Sequence, residues 1–205
     1  MVRPRFLAAA IHFHVLGDDC PGCYFRDSSV HESYYRCISI HATNSLEVSE
    51  NVAYDVTGFC YYLEDGIEES NTLSFNLAAH IHFLSYPASG GAQRINVVPE
   101  NPDLLLPADI AASGFYITNM HNYVIGNSAS GGWSGYAFPV LPTPLGVHRD
   151  LDYSPREKVS LLIDGNTGKI PTLHIVVLFS LRRIFIDMPF FVSHSPFYCP
   201  FLGFR

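Results

Sequence analysis

The residues best suited to chemistry are histidines and carboxylates set into short alternating segments. Four such segments occur: Ile11-His12-Phe13-His14, Ile38-Ser39-Ile40-His41, Tyr61-Tyr62-Leu63-Glu64 and Ala79-His80-Ile81-His82. Side chains alternate between the faces of a strand. In a shared register Ile11, Phe13, Ile38, Ile40, Tyr61, Leu63 and Ile81 therefore point inward. His12, Ser39, Tyr62 and His80 form one outward column, and His14, His41, Glu64 and His82 form a second. Neighbouring strands lie about 4.8 Å apart, which makes the members of a column near neighbours.

Histidine beside carboxylate allows proton transfer near neutral pH. The candidate catalytic groups are Glu64, Asp65 and His41, with Glu64 the best-placed acid or base. A pair of carboxylates can split a glycosidic bond, one as acid and the other as base or nucleophile. Glu64 and Asp65, with Glu68 and Glu69 after the turn at Gly66, supply the candidates. Adjacent Glu64 and Asp65 would face opposite sides of an ideal strand, however. The candidate substrate-binding groups are His12, His14, Tyr62, His80 and His82, with Tyr62 the outward aromatic platform. His14, His41 and Glu64 could instead be three zinc ligands, or nearby oxygens could hold calcium. The spacing selects neither metal. The plain structural alternative is a polar ladder whose members only satisfy one another.

These residues need strands to position them, and helix signals are scarce. Asn51-Val52-Ala53 leads to Gly58-Phe59-Cys60-Tyr61, and Asn127-Ser128-Ala129 leads to Gly135-Tyr136-Ala137-Phe138. Asp27-Ser28-Ser29-Val30, leading to Arg36-Cys37-Ile38-Ser39, is a looser third copy. The step from Ile38 to Tyr61 is 23 residues, about one coil of a parallel β-helix. The asparagine-rich turns that punctuate the strands favour this reading over an antiparallel sandwich, whose strands are typically joined by tight hairpins. The expected organisation is an all-β fragment, a parallel β-helix over 1–150 with a long inserted loop at 85–113. That loop carries Pro87, Gly90, Gly91, Pro99, Pro102 and Pro107. Residues 151–205 read as an atypical tail, either a capping segment or translated sequence foreign to the coils.

Composition narrows the partners. Among 205 residues, 12 basic and 19 acidic side chains leave a net charge of −7. No basic stripe is present to replace the counterions of a nucleic acid. With 48% hydrophobic and 15% charged residues, the chain is not a disordered one. The apolar run 173–181 is too short to span a membrane, and the patch before Ala10 is too short for a signal-peptide core. Cys20-Pro21-Gly22-Cys23 has no second pair downstream, so it reads as a turn closed by a local disulfide rather than a zinc knuckle.

Several motifs in order resemble a known family. They are Ile11-His12-Phe13-His14, Arg26-Asp27-Ser28-Ser29-Val30-His31, Arg36 to Asn44, Asn51 to Asp55, Tyr62 to Thr72, Leu105 to Asp109 and Pro142 to Gly146. Over roughly 11–148 the chain resembles the β-helix of the cell-migration-inducing and hyaluronan-binding, cell-surface hyaluronidase and fibrocystin-like proteins. The resemblance implies a right-handed, pectin-lyase-like parallel β-helix in an extracellular or cell-surface protein. It implies a hyaluronan-like glycosaminoglycan as partner, hyaluronidase-like glycosidase activity in some members, and calcium dependence. The chain departs from the pattern at Gly58-Phe59, where the family carries glycine-histidine, and at Ala9-Ala10, where it carries tyrosine-proline. The upstream eight-glycine domain has no counterpart, so a central portion of a larger protein is expected. An anionic glycan would need a local basic rim from Arg26, Arg36 or Arg94, or a bound cation, to offset the chain's own charge.

Overall fold

The computed structural model describes residues 9–33, 36–82, 112–132, 134–139 and 141–169. Among the described residues, fifteen strands, numbered in chain order, make three parallel sheets. The first sheet contains β1 (Ile11–Gly17), β4 (Arg36–Thr43), β7 (Phe59–Leu63), β10 (Ser113–Ile117) and β13 (Ser134–Ala137). The second contains β2 (Tyr24–Arg26), β5 (Glu47–Ser49), β8 (Thr72–Ser74), β11 (Tyr123–Ile125) and β14 (Leu162–Asp164). The third contains β3 (Ser29–Ser33), β6 (Val52–Thr57), β9 (Leu77–His82), β12 (Ser128–Gly131) and β15 (Thr167–Lys169). Each strand hands the chain to the next sheet and every third strand returns to the first. The result is a right-handed parallel β-helix, with the coil expected from the repeat and the hand implied by the resemblance. Ile11 pairs with Ile38 and Ile38 with Tyr61, as the alternating pattern requires.

Two expected boundaries move. The coils do not stop near 150, because β14 pairs with β11 and β15 with β12. Most of the expected loop at 85–113 lies outside the described residues. Its last two positions belong to the helix, where Ala112 is buried and Ser113 opens β10.

The interior is a column of apolar side chains, in which all seven residues expected to point inward take part. Aromatic rings stack between coils at its centre. Tyr61 lies 4.6 Å from Phe115, and Phe115 lies 4.9 Å from Tyr136, with nearly parallel planes. Cys37 and Cys60, register neighbours on β4 and β7, form a disulfide inside the coil, and Cys20–Cys23 closes the local turn.

The turn between the second and third sheets is held by a ladder of asparagines. Asn51 N–H donates to Asn76 Oδ1 (3.1 Å), Asn76 N–H to Asn127 Oδ1 (2.9 Å), and Asn127 N–H to Asn166 Oδ1 (2.9 Å). Each amide also donates inward, as Asn76 Nδ2 does to the Val48 carbonyl at 2.8 Å. A tight bend leaves these backbone groups without sheet partners, and a buried unpaired group costs about 1–3 kcal/mol. Asn76→Ala empties the middle rung and is expected to lower unfolding stability by about 2–4 kcal/mol in urea titration. Asn166→Ala, at the partly exposed end, should cost about 1 kcal/mol or less. Equal losses at both positions would contradict the ladder account.

Residues 141–160 lie over the turn that leaves the first sheet. Leu145 N–H donates to the Asp65 carbonyl at 2.8 Å. The Tyr153 hydroxyl bonds to Glu69 Oε1 and accepts from Asn119 Nδ2 at 2.7 Å, and Lys158 Nζ lies 2.8 Å from Glu69 Oε1. This strap fixes the residues that follow Glu64.

Candidate functional site

The end of the first sheet gathers the groups that could act as acid and base. His41 is near the end of β4, and Glu64 and Asp65 follow β7 one coil on. The His41 Nδ1 atom is 3.4 Å from Asp65 Oδ1 and 3.7 Å from Glu64 Oε2. Asp65 can reach His41 although it follows Glu64, because the strand has ended and alternation no longer applies. The Asp65 side chain is 8% exposed and that of Glu64 is 31%, so Glu64 is the carboxylate open to a ligand. Gly146, at φ +62°, seals Asp65 from above; a Cβ there would stand 2.9 Å from Asp65 Oδ1.

A third carboxylate holds this arrangement from within. Glu68 is fully buried. Its Oε1 accepts the N–H of Ala42 (2.9 Å) and of Asp65 (3.1 Å), and its Oε2 accepts that of Gly66 (2.8 Å). It thereby ties the residue after His41 to the turn bearing Asp65. Burial pushes the Glu68 carboxyl up to about 7 despite these three donors, with the Asp65 charge acting in the same direction.

Exposed His12 and His14 stand beside His41, with ring centroids 4.8 and 5.8 Å from it. Although much of its surface meets solvent, partial desolvation against its neighbours holds His12 below its ordinary pKa, helped by the charges of His41, His14 and Arg36. For His41, burial pulls downward, but the Asp65 hydrogen bond and the charges of Asp65, Glu64 and Glu68 outweigh it and raise its pKa. Asp65→Asn removes the strongest of the raising interactions. The His41 pKa is therefore expected to fall in that variant when followed by imidazole NMR; an unchanged titration would contradict the geometry.

The structure separates the two expected columns. His12, Ser39 and Tyr62 do pair in register, as do His14 and His41, but β7 is followed by β10 and Tyr116, not by β9 and His80. His80 and His82 lie on the third sheet against β6, because the chain from Glu64 passes through β8 of the second sheet and then enters β9 of the third. Tyr62 is not an exposed platform. It has no solvent-accessible surface, since Tyr116 stacks on it at 4.8 Å, Phe59 packs at 5.3 Å and the Arg36 guanidinium sits 3.8 Å over its ring. Arg36 is thus buried rather than part of a basic rim, and Arg26 lies on the second sheet over Tyr24. Arg94 falls outside the described residues.

The expected metal trio also changes. Among the described residues, ligand atoms converge in two groups: His41 with Glu64 and Asp65, and Asp55 with His80 and His82. His14 joins neither group. Each group includes imidazole, so neither is the oxygen-only shell that calcium prefers. Residue spacing does not single out Asp55, and it offers Glu68 only as one of four candidate carboxylates, not as the buried one that holds the turn. Only a complete register of the third sheet would have pointed to Asp55, and nothing in the sequence marks Glu68 as the buried member of its acidic run.

A stacked parallel coil with a histidine–carboxylate cluster on its outer face defines a β-helix module with an acid–base surface. The CEMIP β-helix family model matches residues 8–167, and the chain belongs to that family. It is 52% identical over 158 residues to Protein rliB of Dictyostelium discoideum, covering 77% of this chain and 14% of that protein. It is 49% identical over 158 residues to Communication mutant protein F of the same organism, with the same coverage of each. It is 34% identical over 122 residues to Fibrocystin-L of Mus musculus, covering 60% of this chain and 2% of that protein. The chain spans at most 14% of the length of these relatives. Among the described residues no helix is long and apolar enough to cross a membrane.

Proposed function

We propose that the chain is a carbohydrate-active module of an extracellular protein, binding a hyaluronan-like polysaccharide along the outer face of the first sheet and shortening it there. The observation that carries this reading is the His41 ring nitrogen held between a buried Asp65 and an accessible Glu64, beside two exposed imidazoles. Glu64 gives or takes the proton at the glycosidic oxygen or at water. His41 exchanges that proton with Glu64, and Asp65 keeps His41 oriented. His12 and His14 offer donors to the sugar. Two disulfides fit an oxidising compartment. The family and the relatives support the β-helix module.

One observation favours a second reading, a non-catalytic binding or scaffold module. A glycosidase of the usual kind presents two carboxyl groups to the scissile bond, and here Asp65 is enclosed. Incubating labelled hyaluronan with the full chain, with and without calcium and chelator, separates the two. Shortened chains support the catalytic reading. Retention on the protein without shortening supports the scaffold reading, and neither retention nor shortening by a folded sample overturns both.

A further inference from the structure

The second convergent group is separate from the site above and has its own chemistry. On the third sheet, Tyr54 pairs with Ala79, Val56 with Ile81 and Thr57 with His82, so Asp55 and His80 are neighbours across one coil. Both take left-handed backbone, each at φ +57°. That step interrupts the alternation. Ala53 and Val56 remain buried on either side of Tyr54-Asp55, and Ala78 and Ile81 on either side of Ala79-His80. Asp55 and His80 are thereby turned outward, next to His82.

The atoms converge. His82 Nε2 is 2.6 Å from Asp55 Oδ1, and His80 Nε2 is 3.9 Å from the same oxygen. All three ligand atoms lie within 4.8 Å of one another. The two imidazoles meet edge to face at 4.2 Å, and Tyr54 stacks on His80 at 5.6 Å and holds its ring. A tetrahedral zinc ion with bonds of about 2.0–2.1 Å needs ligand atoms about 3.3 Å apart. The two distances above straddle that edge, so side-chain shifts of less than about 1 Å complete the set.

We propose that Asp55, His80 and His82 form a binding site for one divalent ion of the zinc class, with a fourth position open to water. Two imidazole nitrogens and one carboxylate oxygen suit zinc and its transition-metal neighbours, whereas calcium and magnesium take oxygen shells. The side chains are 41–58% exposed, which leaves a path for the ion to enter and a face for water or a ligand oxygen. The ion clamps β6 to β9, two coils that at this corner also share the Gly58 N–H to His82 carbonyl bond at 2.8 Å. The His41 group, with one imidazole and two carboxylates beneath the Gly146 segment, does not offer this ligand set.

The test is zinc binding by the tag-free full chain at pH 7.5, read by competition with a chromogenic chelator, with circular dichroism on every sample. The wild type is expected to bind one saturable equivalent that a thousandfold excess of calcium does not displace. His80→Ala and His82→Ala should each weaken it at least tenfold with an unchanged spectrum, and His41→Ala should leave it intact. If His82→Ala fails to fold, exposed His80→Gln carries the same expectation. The proposal is overturned by absence of saturable binding to the folded wild type, by binding that survives both histidine substitutions, by loss in His41→Ala alone, or by displacement with calcium.

Discussion

Glu64→Gln is expected to reduce polysaccharide shortening by at least about 100-fold, the scale of a lost general acid or base, while the unfolding midpoint stays put. The amide keeps the size of the side chain but can neither give nor take the proton. Stability should be spared because Glu64 is partly exposed and its ion-pair contact, His41 at 3.7 Å, keeps its hydrogen bond to Asp65. Rates compared at equal folded fraction, with product length read by gel, check the expectation. Shortening by Glu64→Gln at the wild-type rate would remove Glu64 from the mechanism.

The largest stability effect is expected at Glu68. Glu68→Ala leaves the N–H groups of Ala42, Asp65 and Gly66 without their acceptor in a buried turn, at an expected cost of about 3–5 kcal/mol. Because those donors adjoin His41 and Glu64, the same variant should also lower the raised His41 pKa. Glu68 further sets a pH dependence. Its carboxyl is raised from 4.5 to about 7 in the folded chain, so folded protein holds a proton that unfolded chain has released. That contribution is complete below about pH 4.5 and is lost as pH rises through about 7. His41, also raised by folding, acts in the same direction. Urea midpoints should therefore fall between pH 5 and pH 8 in the wild type. In Glu68→Gln, which cannot titrate, the fall should be smaller. An identical fall in both would exclude Glu68 as its source.

Much of the coil was legible in the sequence because its repeat is local. The alternation in Ile38-Ser39-Ile40 and the 23-residue step to Tyr61 place β4 against β7 in the register the structure shows. The asparagine turns were legible for the same reason, since Asn51 and Asn127 each precede an inward alanine. Asn76-Leu77-Ala78 repeats that motif and supplies the rung between them, and recognising it would have placed His80 and His82 on the third sheet. Without it, the likeness of Ala79-His80-Ile81-His82 to Ile11-His12-Phe13-His14 points to the first sheet. Alternation cannot tell which of three sheets a strand joins. The fate of Tyr62 was hidden for a different reason. Facing outward from a coil does not mean facing water when Phe59, Tyr116 and Arg36 cover that face. Glu68 was beyond reach because its burial depends on Ala42, 26 residues earlier in the chain.

The most direct test of the first-sheet site is histidine imidazole NMR on the full Glu64→Gln chain, titrated with a hyaluronan hexasaccharide. Using that variant keeps the ligand whole. The signals of His12, His14 and His41 are expected to shift in a saturable way, while those of His80 and His82 on the third sheet stay still. Movement confined to His80 and His82, or no movement at all in a folded sample, would contradict the placement of the polysaccharide on the first sheet.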